Sequence, residues 1–418
     1  MAHFALICPP FYSHIKVFEA LAATLRKRGH DATFVLNAGG EVMLSRGERR
    51  WRTVSPGSAG DLGFILRRAA RPNGPLGILQ TVADTARLSD ALCRGAPAIL
   101  REIGANAVIG DQMEPAASLV AAHLGLPLVS LACALPISTT PDIPPPYLSW
   151  RYRAGALGRW RNHGGETIAA LLLLRQRRAI EAWSKRFGLP KRSTLDACLS
   201  PLLQISQTVE SFDFPRAARA GFNAVGPIRS RASADEPLPF PIDPERPFVF
   251  ASFGTLQGHR LGLFRTIAKA CRRLDVQLLV AHCGALTEAE AASINANHVA
   301  SFVPQAAVLA KADICITHAG LNTVLDALEA GVPLLAIPIA FDQPGVAARI
   351  VHHRVGLSRS RVLLSSAKVE ASLAALLDAS TYRDNARRIG QDIAASGGAE
   401  RATQLIEDAM TGKRETAA

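Results

Sequence analysis

Long hydrophobic runs are missing from this 418-residue chain. The longest, at residues 168–174 and 332–341, fall far short of the roughly 20 apolar residues that a spanning helix needs. Residues 1–10 contain no basic stretch leading into an apolar one, so no secretory leader is expected. Seven cysteines (Cys8, Cys93, Cys133, Cys198, Cys271, Cys283 and Cys315) are scattered without any CxxC pair. That spacing argues against a disulfide framework or a zinc site and for reduced thiols. Together these absences predict a cytoplasmic protein. The chain is basic, yet it has no zinc-finger or RNA-binding signature, so nucleic acid is not an expected partner. No short repeat or low-complexity tract interrupts it, and only residues 412–418 read as a frayed tail.

What the chain does have is core-forming material. Hydrophobic residues make up 48%, enough to bury a sizeable core, and the length favours two domains over one. The net charge of +12 is unevenly spread. Residues 1–230 hold 28 Lys+Arg against 16 Asp+Glu, whereas residues 231–418 balance at 19 and 19. Residues 151–192 alone carry 11 basic residues and two acids around the apolar run 168–174. Such a helix suits the surface of an anionic membrane. It equally suits an ordinary packed helix with a solvated basic face.

Apolar strands alternate with helical periodicity. Residues 3–8 read as a strand, 9–14 as a turn-rich loop, and Val17, Phe18, Leu21, Ala22 and Leu25 as one helix face ending at Gly29. Strands follow at 32–36, 107–111 and 128–131. Prolines at 237, 239, 241, 244 and 247 mark a break, since repeated prolines cannot sit in a helix or central strand. Strand–helix alternation then resumes at 248–252, 276–281, 314–317 and 334–337. This pattern predicts two doubly wound parallel-sheet domains facing across a cleft. The expected boundaries are 1–230, a linker at 231–247, and 248–411, with the last helix packing back on the first domain.

The most informative stretch is residues 302–343. A strand at 314–317 runs into His318-Ala-Gly320, and a helix follows until Gly331 and Pro333 stop it. Gly320 allows close backbone approach, and the first helical turn offers free N–H groups and the positive dipole end, an arrangement that binds phosphate. A tight turn with a polar cap is the alternative. Taken whole, the stretch resembles the donor signature of the UDP-glycosyltransferase family, whose fold is the two-domain GT-B. The matching residues are Phe302-Val-Pro-Gln305, Thr317-His-Ala-Gly-Leu-Asn-Thr323, Asp326, Gly331-Val-Pro333 and Asp342-Gln343. Cys8-Pro-Pro-Phe-Tyr-Ser-His14, Asp111-Gln-Met-Glu-Pro-Ala116 and residues 129–136 resemble its carotenoid-glucosylating branch.

This resemblance implies transfer of glucose from UDP-glucose, as co-substrate, to the hydroxyl of a hydrophobic acceptor such as the carotenoid diol zeaxanthin. A macrolide, flavonoid or sterol-like acceptor is the alternative within the class, and a non-catalytic UDP-sugar binder the alternative outside it. Phe302 would flank the uracil, with Val303 and Gln305 nearby. Asp326, one methylene shorter than the family's usual Glu, would take the ribose. His318, Gly320, Asn322 and Thr323 would hold the diphosphate, Ser252, Gly254 and Thr255 would form a second nucleotide loop, and Asp342 and Gln343 would bond sugar hydroxyls. No Asp-x-Asp occurs, so no metal or other cofactor is expected, and the helix N-terminus with His318 would stabilise the leaving diphosphate.

His14 lies in the loop after the first strand, where open α/β sheets place ligands, and it matches the family's general base. An imidazole titrates close to working pH. Asp111, at the end of a later strand, would orient it, or would instead cap the helix near residue 115. The other histidines show no ligand spacing, and His352 and His353 are expected to point apart. The acceptor is expected to be lined from residues 64–78 and 136–174, with inversion at the anomeric carbon.

Overall fold

The computed structural model describes all residues except 56, 58, 59, 72, 73, 139, 218–220, 231–233 and 413–418. The expected tail at 413–418 and the first three linker residues therefore lie outside the described residues. The N-terminal half contains β1 (His3–Ile7), α1 (Tyr12–Lys27), β2 (Asp31–Asn37), β3 (Trp51–Val54), α2 (Leu62–Ala70), α3 (Gly74–Glu102) and β4 (Ala107–Asp111). It continues with α4 (Pro115–Leu124), β5 (Leu128–Ala132), α5 (Ala156–Leu172), α6 (Leu174–Arg186), β6 (Leu203–Ser206) and β7 (Phe222–Ala224). The C-terminal half runs through β8 (Phe248–Ser252), α7 (Gly254–Gln257), α8 (Leu261–Arg273), β9 (Gln277–Ala281), α9 (Glu288–Ala292), β10 (His298–Ala300) and α10 (Gln305–Leu309). Then come β11 (Ile314–Thr317), α11 (Leu321–Glu329), β12 (Leu334–Ala336), α12 (Gln343–His352), β13 (Gly356–Ser358), α13 (Ser366–Asp378), α14 (Ser380–Ala395) and α15 (Gly398–Thr411).

Two parallel sheets result, ordered β3-β2-β1-β4-β5-β6-β7 and β10-β9-β8-β11-β12-β13. Both sheets are covered on two faces, which is why their strands are apolar throughout rather than alternating. In β1, Phe4 and Leu6 join one core while Ala5 and Ile7 join the other. In β8, Phe248 and Phe250 face one layer, Val249 and Ala251 the opposite one. Each sheet reverses its strand order beside its first strand, between β1 and β4 and between β8 and β11. Such reversals open a crevice at the strand C-termini.

Several connections tie the halves together. Leu238, Phe240 and Ile242 of the proline-rich segment lie on the C-terminal core. Helix α15 crosses back and packs Ala402, Leu405 and Ile406 against Phe18 and Leu21 of α1, with Arg28 paired to Glu407 at 2.5 Å. Arg349 of α12 is buried and pairs with Asp213 at 2.6 Å. One local expectation needs correction, and one alternative reading falls away. His352 and His353 do not point apart: their rings meet edge to face with centroids 4.8 Å apart. The helix ends at His352, so His353 leaves the helical direction and donates from Nε2 to the Asp213 carbonyl at 2.9 Å. Helix α4 is capped by Glu114, whose side chain accepts from the Ala116 N–H, and not by Asp111.

Candidate active site

The topology brings four loops to two switch points. Strand β1 delivers the turn Cys8–Phe11 and then α1, whose first turn carries His14. Strand β4 ends on Asp111. The two residues, 97 positions apart in sequence, meet with Nδ1 of His14 2.7 Å from Oδ2 of Asp111. The other carboxylate oxygen of Asp111 accepts from the Met113 N–H at 2.8 Å, so the carboxylate is fixed and its side chain is only 1% exposed. With Nδ1–H engaged, Nε2 of His14 is the free lone pair. Burial alone would lower the His14 pKa, but the Asp111 charge and hydrogen bond, with Asp342 behind them, outweigh it and raise it above its ordinary value. Glu114, buried at the cap of α4, is raised by the same desolvation to about 7.

On the C-terminal side, β8 and β11 deliver Ser252–Thr255 and His318–Thr323. The His318 ring lies between two glycines. A Cβ on Gly320 would sit 2.6 Å from its Cε1 and Nε2, and one on Gly254 would sit 3.0 Å from Cε1. Gly254 also has φ +67, a conformation that favours glycine. Gly320 is expected to let a ligand approach the backbone, and in the structure it also makes room for the imidazole. Burial pushes His318 down to about 4, partly offset by the Ser252 backbone, so its ring is neutral near pH 7. Asn322 and Thr323 occupy the first turn of α11, half-buried. Thr255 is exposed in α7.

Phe302 is 68% exposed after β10, its ring edge beside Gly284. An aromatic face left open this far is available for stacking. Val303 packs inward on the core. Gln305 donates to Oδ2 of Asp326 at 2.5 Å. Arg229, on the segment leaving the N-terminal half, forms ion pairs with Asp326 and Glu329. Among the described residues, no hydrogen bond links Thr255 or Thr323 to the rest of this group.

The two sides meet. Asn322 reaches the Ser13 carbonyl at 3.4 Å, next to His14, while its side-chain oxygen accepts from Gln207 at 2.7 Å. Asp342 accepts from the Leu135 N–H at 3.1 Å, and burial raises its pKa. Phe11 bridges His14 and Phe341, with ring centroids at 5.9 and 6.1 Å. Gln343 is buried, and its oxygen accepts from both the Ile339 and Ala340 N–H groups at 2.8 Å. Only its amide N–H₂ remains to serve as a donor. Gln207, Arg229 and the Leu135 backbone were not singled out from sequence. Gln207 follows β6, and the strand-end rule that points to His14 points equally to it.

His14, Asp111 and Cys133 form the group of metal-capable side chains among the described residues, with ligand atoms within 4.8 Å of one another. Burial pushes the Cys133 thiol well up, followed by the Asp111 charge, so it is protonated near neutral pH. Beyond β2, an apolar cavity of about 350 Å³ is lined by Gly39, Val42, Met43, Leu62 and Leu66. Gly40, next in sequence to the lining residue Gly39, lies against Pro10, four residues before His14.

Two doubly wound halves, with a His–Asp pair on one and a glycine-flanked phosphate-type loop on the other, define a GT-B glycosyltransferase. The chain's relatives agree. The profile of the family described as "UDP-glucoronosyl and UDP-glucosyl transferase" matches residues 182–392. The zeaxanthin glucosyltransferase of Pantoea ananas is 42% identical over 98% of this chain and 96% of its own. That of Pseudescherichia vulneris is 40% identical over 99% of each. The crystal structure of the glycotransferase of kitacinnamycin superposes with a TM-score of 0.78 over 98% of this chain and 99% of that one, at 19% identity. This chain belongs to the UDP-glucuronosyl and UDP-glucosyl transferase family.

Proposed function

We propose that this glycosyltransferase moves glucose from UDP-glucose to a hydroxyl of a carotenoid diol, zeaxanthin being the favoured acceptor, with inversion and without a metal. The observation that carries the reading is the 2.7 Å contact between His14 and the buried Asp111, set opposite Asp342. In this scheme Nε2 of His14 takes the acceptor proton as the hydroxyl oxygen attacks the anomeric carbon. Asp111 keeps the tautomer and stabilises the imidazolium as it forms. UDP departs from the opposite face, its charge met by the first-turn N–H groups of α11 and by the neutral His318 ring. Phe302 flanks the base, Gln305 and Asp326 serve the ribose, and Asp342 with the Gln343 amide reads sugar hydroxyls. Reaching the ribose requires Arg229 to share or release Asp326.

The acceptor identity rests on the two zeaxanthin glucosyltransferase relatives. Support within this chain comes from the apolar cavity between the segment after β2 and the start of α2. Among the described residues no helix is long and apolar enough to cross a membrane. In this reading the bilayer-dissolved diol is met from the membrane surface, and the surplus positive charge of residues 1–230 favours an anionic one. The test is incubation of purified protein with UDP-glucose and detergent-dispersed zeaxanthin, beside His14→Ala. A more polar carotenoid that is absent with the variant supports the reading. UDP release without a carotenoid product would move the acceptor to another alcohol. No UDP release with any donor or acceptor would refute it.

A further inference from the structure

Helix α5 is amphipathic the wrong way round. Its buried residues are Gly158, Asn162, Gly165 and Ala169. Its large apolar residues face out: Leu157 is 54% exposed, Trp160 75%, Ile168 62% and Leu171 70%. At 100° per residue these four, with Gly164, fall on one stripe rather than being scattered. No acid lies on that stripe. The chain continues through a turn at Leu173 into α6, where Leu174 is also exposed. Arg175 and Arg178 follow and Arg153 precedes, all three exposed and, among the described residues, without an ion-pair partner. Helix α3, in contact with α5 and α6, exposes Leu76, Ile78 and Leu79 in its first turns.

We infer that the Leu157–Leu171 stripe of α5, flanked by Arg153, Arg175 and Arg178, is the surface by which this protein docks on an anionic phospholipid bilayer. An apolar stripe bordered by unpaired cations fits the boundary between headgroups and acyl chains. A second copy of the chain would bring the same arginines against each other. The stripe also has a physical route to the active site. Asn162 of α5 holds the Pro141 carbonyl at 2.9 Å, and Gly165 lies on Leu148 and Trp150. The loop so held donates from Leu135 N–H to Asp342 and accepts at the Pro146 carbonyl from Gly345 of α12 at 2.9 Å. A docked α5 therefore places this loop, and the cleft it borders, next to the lipid. The inference refines the membrane reading proposed above, and its test does not depend on turnover.

Purified full-length protein is mixed with phosphatidylcholine vesicles, with and without phosphatidylglycerol, and followed by flotation and tryptophan emission. Binding to the anionic vesicles with a blue shift is expected, and W160Q/L171Q should weaken it roughly a hundredfold through loss of two buried side chains. R175E/R178E should weaken it by at least about fivefold per residue. Both pairs lie on the surface, and circular dichroism with light scattering checks fold and oligomeric state. Failure to bind anionic vesicles, or unchanged binding by W160Q/L171Q, would overturn the docking surface. So would a dimer that W160Q/L171Q dissolves. UDP release measured in the same samples reports separately on the transferase reading.

Discussion

Replacing Asp111 by Asn tests the dyad most directly. The change keeps shape and removes one buried negative charge from beside His14, whose side chain is 14% exposed. Taking about 4 Å between the centres of the two delocalised charges and an effective dielectric near 20, the lost attraction for an imidazolium is about 4 kcal/mol. At about 1.4 kcal/mol per decade, full proton transfer in the transition state would cost roughly a thousandfold in rate. A half-transferred proton would cost roughly thirtyfold, so kcat should fall within that range while the donor KM holds.

The pH dependence has a definite sign. In the proposed mechanism neutral His14 is the base, and Asp111 raises its pKa above the usual value, so activity in the wild type should climb through an acid limb above about pH 6.5. Without the carboxylate, burial is left to act and the limb should move to lower pH. Stability runs the other way. A histidine raised in the folded state stabilises the fold in full below its unfolded pKa, and that stabilisation fades as pH rises through the raised value. The asparagine variant should therefore lose more stability at pH 5 than at pH 9. Glu114 titrates near 7 by the same cleft, so Glu114→Gln is the control for the limb. Steady-state kinetics across pH with thermal melts would decide it. A variant with kcat within about threefold of wild type and an unmoved limb would refute the reasoning.

Gly320→Ala should raise the donor KM or lower kcat by roughly a hundredfold, since its Cβ would displace the His318 ring. The backbone at Gly320 has φ −65, so alanine adds no backbone strain and any fall in melting temperature reports the displaced ring; UDP titration and melts separate the two effects. Arg349→Ala would leave buried Asp213 with Arg216 as its remaining cation. The expected loss is about 3–5 kcal/mol, read as a lower denaturation midpoint.

Much of the fold was legible because it depends on local pattern. Strands buried on both faces must be apolar throughout, so residues 3–7, 107–111, 248–252 and 314–317 announced themselves. Strand ends and the first turns after them carried the marked residues His14, Asp111 and His318. Less legible was anything set by a neighbour distant in sequence. Asn322 was assigned to a diphosphate, and the structure ties it to Ser13 and Gln207. Gln343 was assigned to a sugar, and its oxygen is spent on two backbone N–H groups. Arg229 came from a stretch read as the approach to a linker, yet it pairs with Asp326. The basic, apolar run at 168–178 left a membrane face and a packed helix equally open.

By itself, then, the sequence determined the strand–helix alternation, the division into two parallel sheets and the identity of the chemically marked loops. Each follows from residue type and spacing, through burial, backbone freedom and the helix terminus. Only the tertiary structure decided which of those residues meet, which polar atoms are already spent, and which face of α5 is left uncovered. The physical reason is that hydrogen bonds, desolvation and exposure are properties of pairs and surfaces. No single position along the chain carries them.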